Sequence, residues 1–123
     1  LLTRGQFIFH AGDMPSQTMR TTQPLSTSIS PGPAFSNGLW RGKAGHAGNL
    51  DLGVLEIVSD NVPAFVYKHR GNVNFKQELE VLLPFGVLLT PHSKRIVSRK
   101  FRTCDTNGKS RTIAVNVVHV SVS

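Results

Sequence analysis

Glu78 and Glu80 are the residues whose types and spacing most clearly suit chemistry. Side chains two positions apart on a strand point to the same face, so a strand over 78–83 would hold both carboxylates side by side. Adjacent carboxylates repel each other and need a nearby cation to offset the repulsion. The local pattern alone favours a simpler explanation, in which both glutamates face solvent and the intervening leucine and valine side chains are buried.

Three consecutive hydroxyl side chains, at Ser26, Thr27 and Ser28, form a second candidate group. They offer hydrogen-bond donors and acceptors without charge. On a strand, Ser26 and Ser28 would share one face and Thr27 would point to the other. Such residues are also ordinary on exposed strands, and the run alone is more typical of that setting.

His10 ends a short apolar run and is followed two residues later by Gly12. Small residues beside a histidine let a ligand come close to the ring, although a lone histidine is more often structural. The remaining histidines show no metal-ligand spacing, so we expect no bound metal. These are His46, His69, His92 and His119.

Short strands separated by Gly, Pro, Ser and Asn must position these groups. The predicted strands cover residues 6–10, 25–29, 51–58, 63–68, 78–83 and 87–89, followed by a hairpin of 95–104 and 112–122. Asn107-Gly108 favours the hairpin turn. Apolar residues change face along 113–122, which predicts a bulge or burial on both faces. One short helix is predicted over 33–40, so the fold class is α+β, mainly β, with one or two short helices.

The composition indicates one folded domain over residues 1–123, because 39% of the residues are hydrophobic and 17% are charged. Cys104 is the only cysteine, which excludes an internal disulfide and a cysteine-rich zinc site. We see neither a secretion signal nor an apolar run of the roughly 20 residues that a membrane helix needs. The start at Leu1 suggests a domain excised from a longer protein.

Positive charge is concentrated near the C-terminus of this basic chain, whose net charge is +7. Seven of its fourteen Lys and Arg residues fall between positions 94 and 111, namely Lys94, Arg95, Arg99, Lys100, Arg102, Lys109 and Arg111. Such a cluster could attract nucleic acid or an acidic partner, or simply keep a solvated hairpin soluble. Phe101 is its only aromatic residue, which is unlike a single-strand binding surface.

The order of these segments resembles the ADP-ribosyltransferase family over residues 4–89. The most specific matching pieces are Ser26-Thr27-Ser28 and the run Glu78-Leu79-Glu80-Val81-Leu82-Leu83-Pro84. No glycine-rich phosphate-binding motif competes with this interpretation. The resemblance implies a split pair of antiparallel sheets and NAD+ as a substrate.

By the same resemblance, Glu80 is the catalytic glutamate that hydrogen-bonds the nicotinamide ribose and stabilises the cation formed as nicotinamide leaves. Glu78 would orient or deprotonate the incoming nucleophile. Ser26 would position Glu80 or the ribose, and Thr27 and Ser28 would support the NAD+ pocket.

Further NAD+ and acceptor contacts follow from the resemblance. Phe35 would stack on the nicotinamide ring, and Phe75 and Gln77 would belong to a loop that meets the acceptor. For the first-strand NAD+ residue, Arg4 and His10 both match family patterns. His10, with Gly12 after it, is preferred because too few residues precede Arg4 to form a strand.

The resulting hypothesis is a mono-ADP-ribosyltransferase that modifies an acceptor side chain and releases nicotinamide. The presence of a glutamate rather than a glutamine at position 78 favours arginine as the acceptor. A carboxylate can attract a guanidinium and take its proton, whereas an amide cannot. The alternatives are NAD+ hydrolysis, binding of NAD+ or ADP-ribose without turnover, and modification of nucleic acid through the basic hairpin. A toxin-like enzyme of this kind would be cytoplasmic or delivered into a host cell.

Overall fold

The computed structural model describes residues 2–30, 49–68, 79–104 and 110–123. These residues form eight strands and no helix. In chain order the strands are β1 (Phe7–Ala11), β2 (Met19–Arg20), β3 (Leu25–Ser28), β4 (Asn49–Ile57), β5 (Phe65–Lys68), β6 (Leu79–Leu83), β7 (Leu88–Cys104) and β8 (Ser110–Val122). The mainly β prediction is confirmed. The helix predicted over 33–40 lies outside the described residues. Within the described residues, no helix is long and apolar enough to cross a membrane.

All eight strands hydrogen-bond into one mixed sheet with the order β2-β7-β8-β4-β1-β3-β6-β5. Strands β4 and β8 run parallel, and the other neighbours are antiparallel. The described strands depart from the predicted split pair of antiparallel sheets in two details, because they join into one sheet and β4 and β8 within it run parallel. Strands β2, β7, β8, β4 and β1 form one part of this sheet, and β3, β6 and β5 form the other. The two parts meet at β1 and β3, which share a single registered pair, Phe9 with Ser28.

Strand β8 is buried on both faces, as the change in its apolar pattern predicts. Its residues Val118, Val120 and Val122 join the larger core cluster. Ile113 and Val115 join a smaller cluster on the opposite face. Parallel strands covered on both sides read as continuous apolar runs rather than alternating ones, which accounts for the valine-rich sequence of β8.

Strand β7 joins two segments that the sequence separates. The predicted strand over 87–89 and the first arm of the hairpin are one element, because Pro91 does not interrupt it. Pairing with β8 shifts register at three places, the first of them between Pro91 and Ser93. Proline has no N–H to donate, so it is tolerated at a bulge such as this one.

Candidate active site

Strand β3 lies between β1 and β6, and this order brings the hydroxyl run beside Glu80. In the antiparallel register of β3 and β6, Ser28 lies opposite Glu80 and Ser26 lies opposite Leu82. Directly opposed residues share a face, and so do residues two apart on one strand. Ser26, Ser28 and Glu80 therefore lie on one face of the sheet.

A direct hydrogen bond connects two of these groups. The Ser26 hydroxyl Oγ donates to the carboxylate oxygen Oε1 of Glu80. Glu80 is half-buried. Its carboxylate is therefore less solvated than the simplest interpretation of this strand predicts, in which both glutamates face solvent. A hydroxyl donor on an ionised carboxylate forms a charge-assisted bond, which is stronger than a neutral one. Ser26 thus fixes the orientation of Glu80.

Thr27 fixes the register that makes this contact possible. Its side chain points to the opposite face, is only 4% exposed, and donates from Oγ1 to the backbone carbonyl of Val81 at 2.6 Å. Thr27 and Val81 are also directly paired in the β3–β6 ladder. A slip of one residue would turn every side chain of β6 to the other face, so this buried bond helps to hold Glu80 on the side of Ser26.

His10 extends the network to β1. Its ring nitrogen Nδ1 lies 2.7 Å from the backbone carbonyl oxygen of Ser26. Because a carbonyl oxygen only accepts hydrogen bonds, Nδ1 carries the proton in this contact. The contacts therefore run from His10 on β1, through Ser26 on β3, to Glu80 on β6.

Glycines shape the chain on either side of His10. Gly53 is paired with His10, and a Cβ built on it would lie 2.5 Å from Sδ of Met14. Only glycine lets Met14 pack so closely over this part of β4. Gly12 has a φ of +148°, where glycine is favoured, and donates its N–H to the carbonyl of Asp51 at 2.9 Å. The chain therefore turns away immediately after β1 ends.

Arg4 lies elsewhere. It is exposed in the turn before β1, and it is not one of the partners in the His10–Ser26 and Ser26–Glu80 hydrogen bonds. Of the two candidates for the first-strand position, His10 is the one that contacts the hydroxyl strand.

The overall fold is similar to those of two solved structures. C3larvin toxin, an ADP-ribosyltransferase from Paenibacillus larvae, aligns over 99% of this chain and 63% of its own, with a TM-score of 0.57 and 12% identity. The catalytic domain of VahC from Aeromonas hydrophila aligns over 96% of this chain and 60% of its own, with a TM-score of 0.52 and 15% identity. The described residues therefore have an ADP-ribosyltransferase-like fold.

The chain spans about three fifths of the length of the two solved structures that it matches. No protein-family model matches the sequence, and no curated protein matches it either. What the comparisons show is therefore a similarity of fold.

Several predicted site residues fall outside the described part of the chain. They are Glu78, Phe35, Phe75 and Gln77. The described residues contain no group of three His, Cys, Asp or Glu side chains that could hold a metal ion.

Tyr67 is a position that the sequence did not single out. It lies on β5, directly opposite Glu80 in the β5–β6 register. The run over 63–68 reads as a strand, but no local signal tells which strand it will pair with, so its placement beside Glu80 follows only from the fold.

Proposed function

We propose that this chain is a mono-ADP-ribosyltransferase, which moves ADP-ribose from NAD+ to an acceptor side chain and releases nicotinamide. The observation that carries the proposal is the hydrogen bond from Ser26 to Glu80. It supplies an oriented carboxylate at the strand position that the resemblance assigns to catalysis, within a fold similar to that of C3larvin toxin, an ADP-ribosyltransferase.

Glu80 is the residue that we assign to transition-state stabilisation. In the reaction, the bond between C1′ of the nicotinamide ribose and the ring nitrogen breaks, and nicotinamide leaves with the electron pair. Positive charge develops on the ribose as this happens. A carboxylate held in place beforehand stabilises such charge without reorganising during the reaction, and the Ser26 hydroxyl holds Glu80 in this way.

The acceptor then attacks C1′ and loses a proton. We assign this proton to Glu78, and we favour an arginine acceptor because a carboxylate attracts a guanidinium before it takes the proton. Phe75 and Gln77 would contact the acceptor protein. Phe35 would stack on nicotinamide, and His10 would bind NAD+ at the first strand. No metal ion takes part in this scheme.

The direct test is nicotinamide release from NAD+ by the purified chain and by Glu80→Gln. Glutamine keeps the shape of the side chain but removes the charge, so we expect release to fall by at least about two orders of magnitude. Glu56→Gln is a matched control, because Glu56 lies half-buried on β4 and takes no part in the network. Its rate should equal that of the unsubstituted chain.

The acceptor is tested by adding an arginine-containing protein mixture or a small guanidine compound. Faster nicotinamide release and labelling of the acceptor would support transfer. Release that depends on Glu80 but does not respond to any acceptor would identify an NAD+ hydrolase. A folded chain that binds NAD+ without releasing nicotinamide would overturn the enzymatic proposal and leave a binding domain.

A further inference from the structure

Nearly all of the net positive charge belongs to one hairpin. We define the basic hairpin as residues 94–104 of β7 and 110–113 of β8. It contains six basic residues and no acidic one, listed as Lys94, Arg95, Arg99, Lys100, Arg102 and Arg111. Residues 1–92 contain seven basic and six acidic residues, so the rest of the chain is almost neutral by comparison. The hairpin is therefore the strongest electrostatic feature of the protein.

The far end of the basic hairpin extends past the neighbouring strand. Strand β4 begins its pairing with β8 at Ala114, whereas β7 and β8 continue to pair as far as Cys104 with Ser110. Residues 101–104 and 110–113 thus form a two-stranded ribbon beyond the described end of β4. On the other side, β2 pairs only with Leu88 and Leu89 among the described residues, which leaves the rest of β7 as an edge.

The described side chains near the base of the hairpin keep their charge in solvent. Lys94 is 60% exposed along its side chain, and its Nζ lies 3.6 Å from Oδ1 of Asp51. The Asp51 side chain is only 15% exposed, but a contact at 3.6 Å leaves most of the Lys94 side chain in solvent. Arg95 is also exposed. Attraction for an external anion therefore persists here.

We propose that the basic hairpin binds double-stranded DNA through its phosphates. The major groove of B-form DNA is wide enough for a two-stranded β-ribbon, whereas the major groove of an RNA duplex is too narrow for side chains to read. Surfaces for single strands stack bases on interleaved aromatic residues, and Phe101 is the only aromatic residue of the hairpin. Duplex DNA is thus the polyanion that fits both the shape and the composition.

The competing role is protection of an edge. Lysine, bulges and proline on an edge strand discourage pairing with other chains, and β7 has all three. This role requires charge but no particular ligand, so it predicts weak and indiscriminate attraction to any polyanion. DNA binding, by contrast, makes no use of Glu80 and is independent of the function proposed above.

The test is a salt titration of binding to a short mixed-sequence DNA duplex by the complete chain, by Arg99→Gln/Arg102→Gln, and by Arg4→Gln/Arg20→Gln. Each phosphate contact that is lost lowers the slope of log K against log salt by about 1. We expect the hairpin variant to lose about 2 from this slope. The matched control removes the same charge from exposed arginines outside the hairpin and should keep the slope. Thermal melting checks that both variants are folded.

Comparison probes decide the ligand. An RNA duplex, a single-stranded DNA and vesicles containing phosphatidylserine should each bind more weakly than the DNA duplex at equal salt. Equal binding to all four probes, or equal losses in the two double variants, would overturn the proposal in favour of edge protection. Glu80→Gln should bind DNA like the unsubstituted chain, so that failure of DNA binding and failure of catalysis are separately visible.

Discussion

Removal of the Ser26 hydroxyl tests whether the Ser26–Glu80 contact positions the carboxylate that we propose to be catalytic. Ser26→Ala deletes one donor and leaves the strand otherwise unchanged. A hydrogen bond to a charged group contributes about 1.5–3 kcal/mol, and each 1.36 kcal/mol lost from the transition state costs about tenfold in rate. If the bond acts mainly in the transition state, kcat/KM should fall by about 10- to 100-fold, with most of the change in kcat.

Nicotinamide release at several NAD+ concentrations separates kcat from KM. Ser26→Thr keeps a hydroxyl at the same position and should recover most of the rate. Ser93→Ala removes an exposed strand serine on β7 and serves as the matched control. An unchanged kcat in Ser26→Ala, with the protein folded and Glu80→Gln inactive, would refute the positioning role while leaving the role of Glu80 intact.

Three further predictions concern the packing around the site and the sheet. Thr27→Val should lower the free energy of unfolding by about 1–3 kcal/mol, because the Val81 carbonyl loses its buried donor; denaturant unfolding measures this, and no loss would contradict it. Gly53→Val should destabilise by about 1–3 kcal/mol through the clash with Met14, and Met14→Ala should relieve part of it in a double-mutant cycle. His119→Phe should leave the melting temperature unchanged or raise it, because Nε2 is buried without a hydrogen-bond partner in the described structure; marked destabilisation would reveal a missed contact.

The strands could be predicted from the sequence, but their order could not. Alternation and turn residues located most strands to within a few positions. The two-residue β2 carries no periodic signal that distinguishes it from a loop. The parallel pairing of β4 with β8 joins segments about 65 residues apart in sequence. Local sequence patterns do not indicate which distant strand a segment pairs with.

For the candidate site, the residue types were informative and the distances were not. Ser26 and Glu80 are 54 positions apart, and only the adjacency of β3 and β6 makes them partners. The preference for His10 over Arg4 rested on which of them follows a strand-like run, which is a local property of the sequence, and the role of either residue in binding NAD+ stays a prediction. Tyr67 lies beside Glu80 only because β5 is the next strand of the sheet, and nothing local to it indicates that position.

The alternation of apolar residues along β6 determines which way Glu80 faces. The Ser26 hydroxyl then hydrogen-bonds the Glu80 carboxylate on that face. Val81 and Leu83 are fully buried, and burial of such side chains contributes about 1.5–3 kcal/mol each. A one-residue slip would forfeit both contributions and would drive Glu80 toward the core, at a total cost larger than that of one hydrogen bond to Ser26. An ordinary half-buried strand and the proposed catalytic role of Glu80 are therefore compatible interpretations of this segment. The same apolar residues that make the segment look like an ordinary half-buried strand are what present its carboxylate to the site.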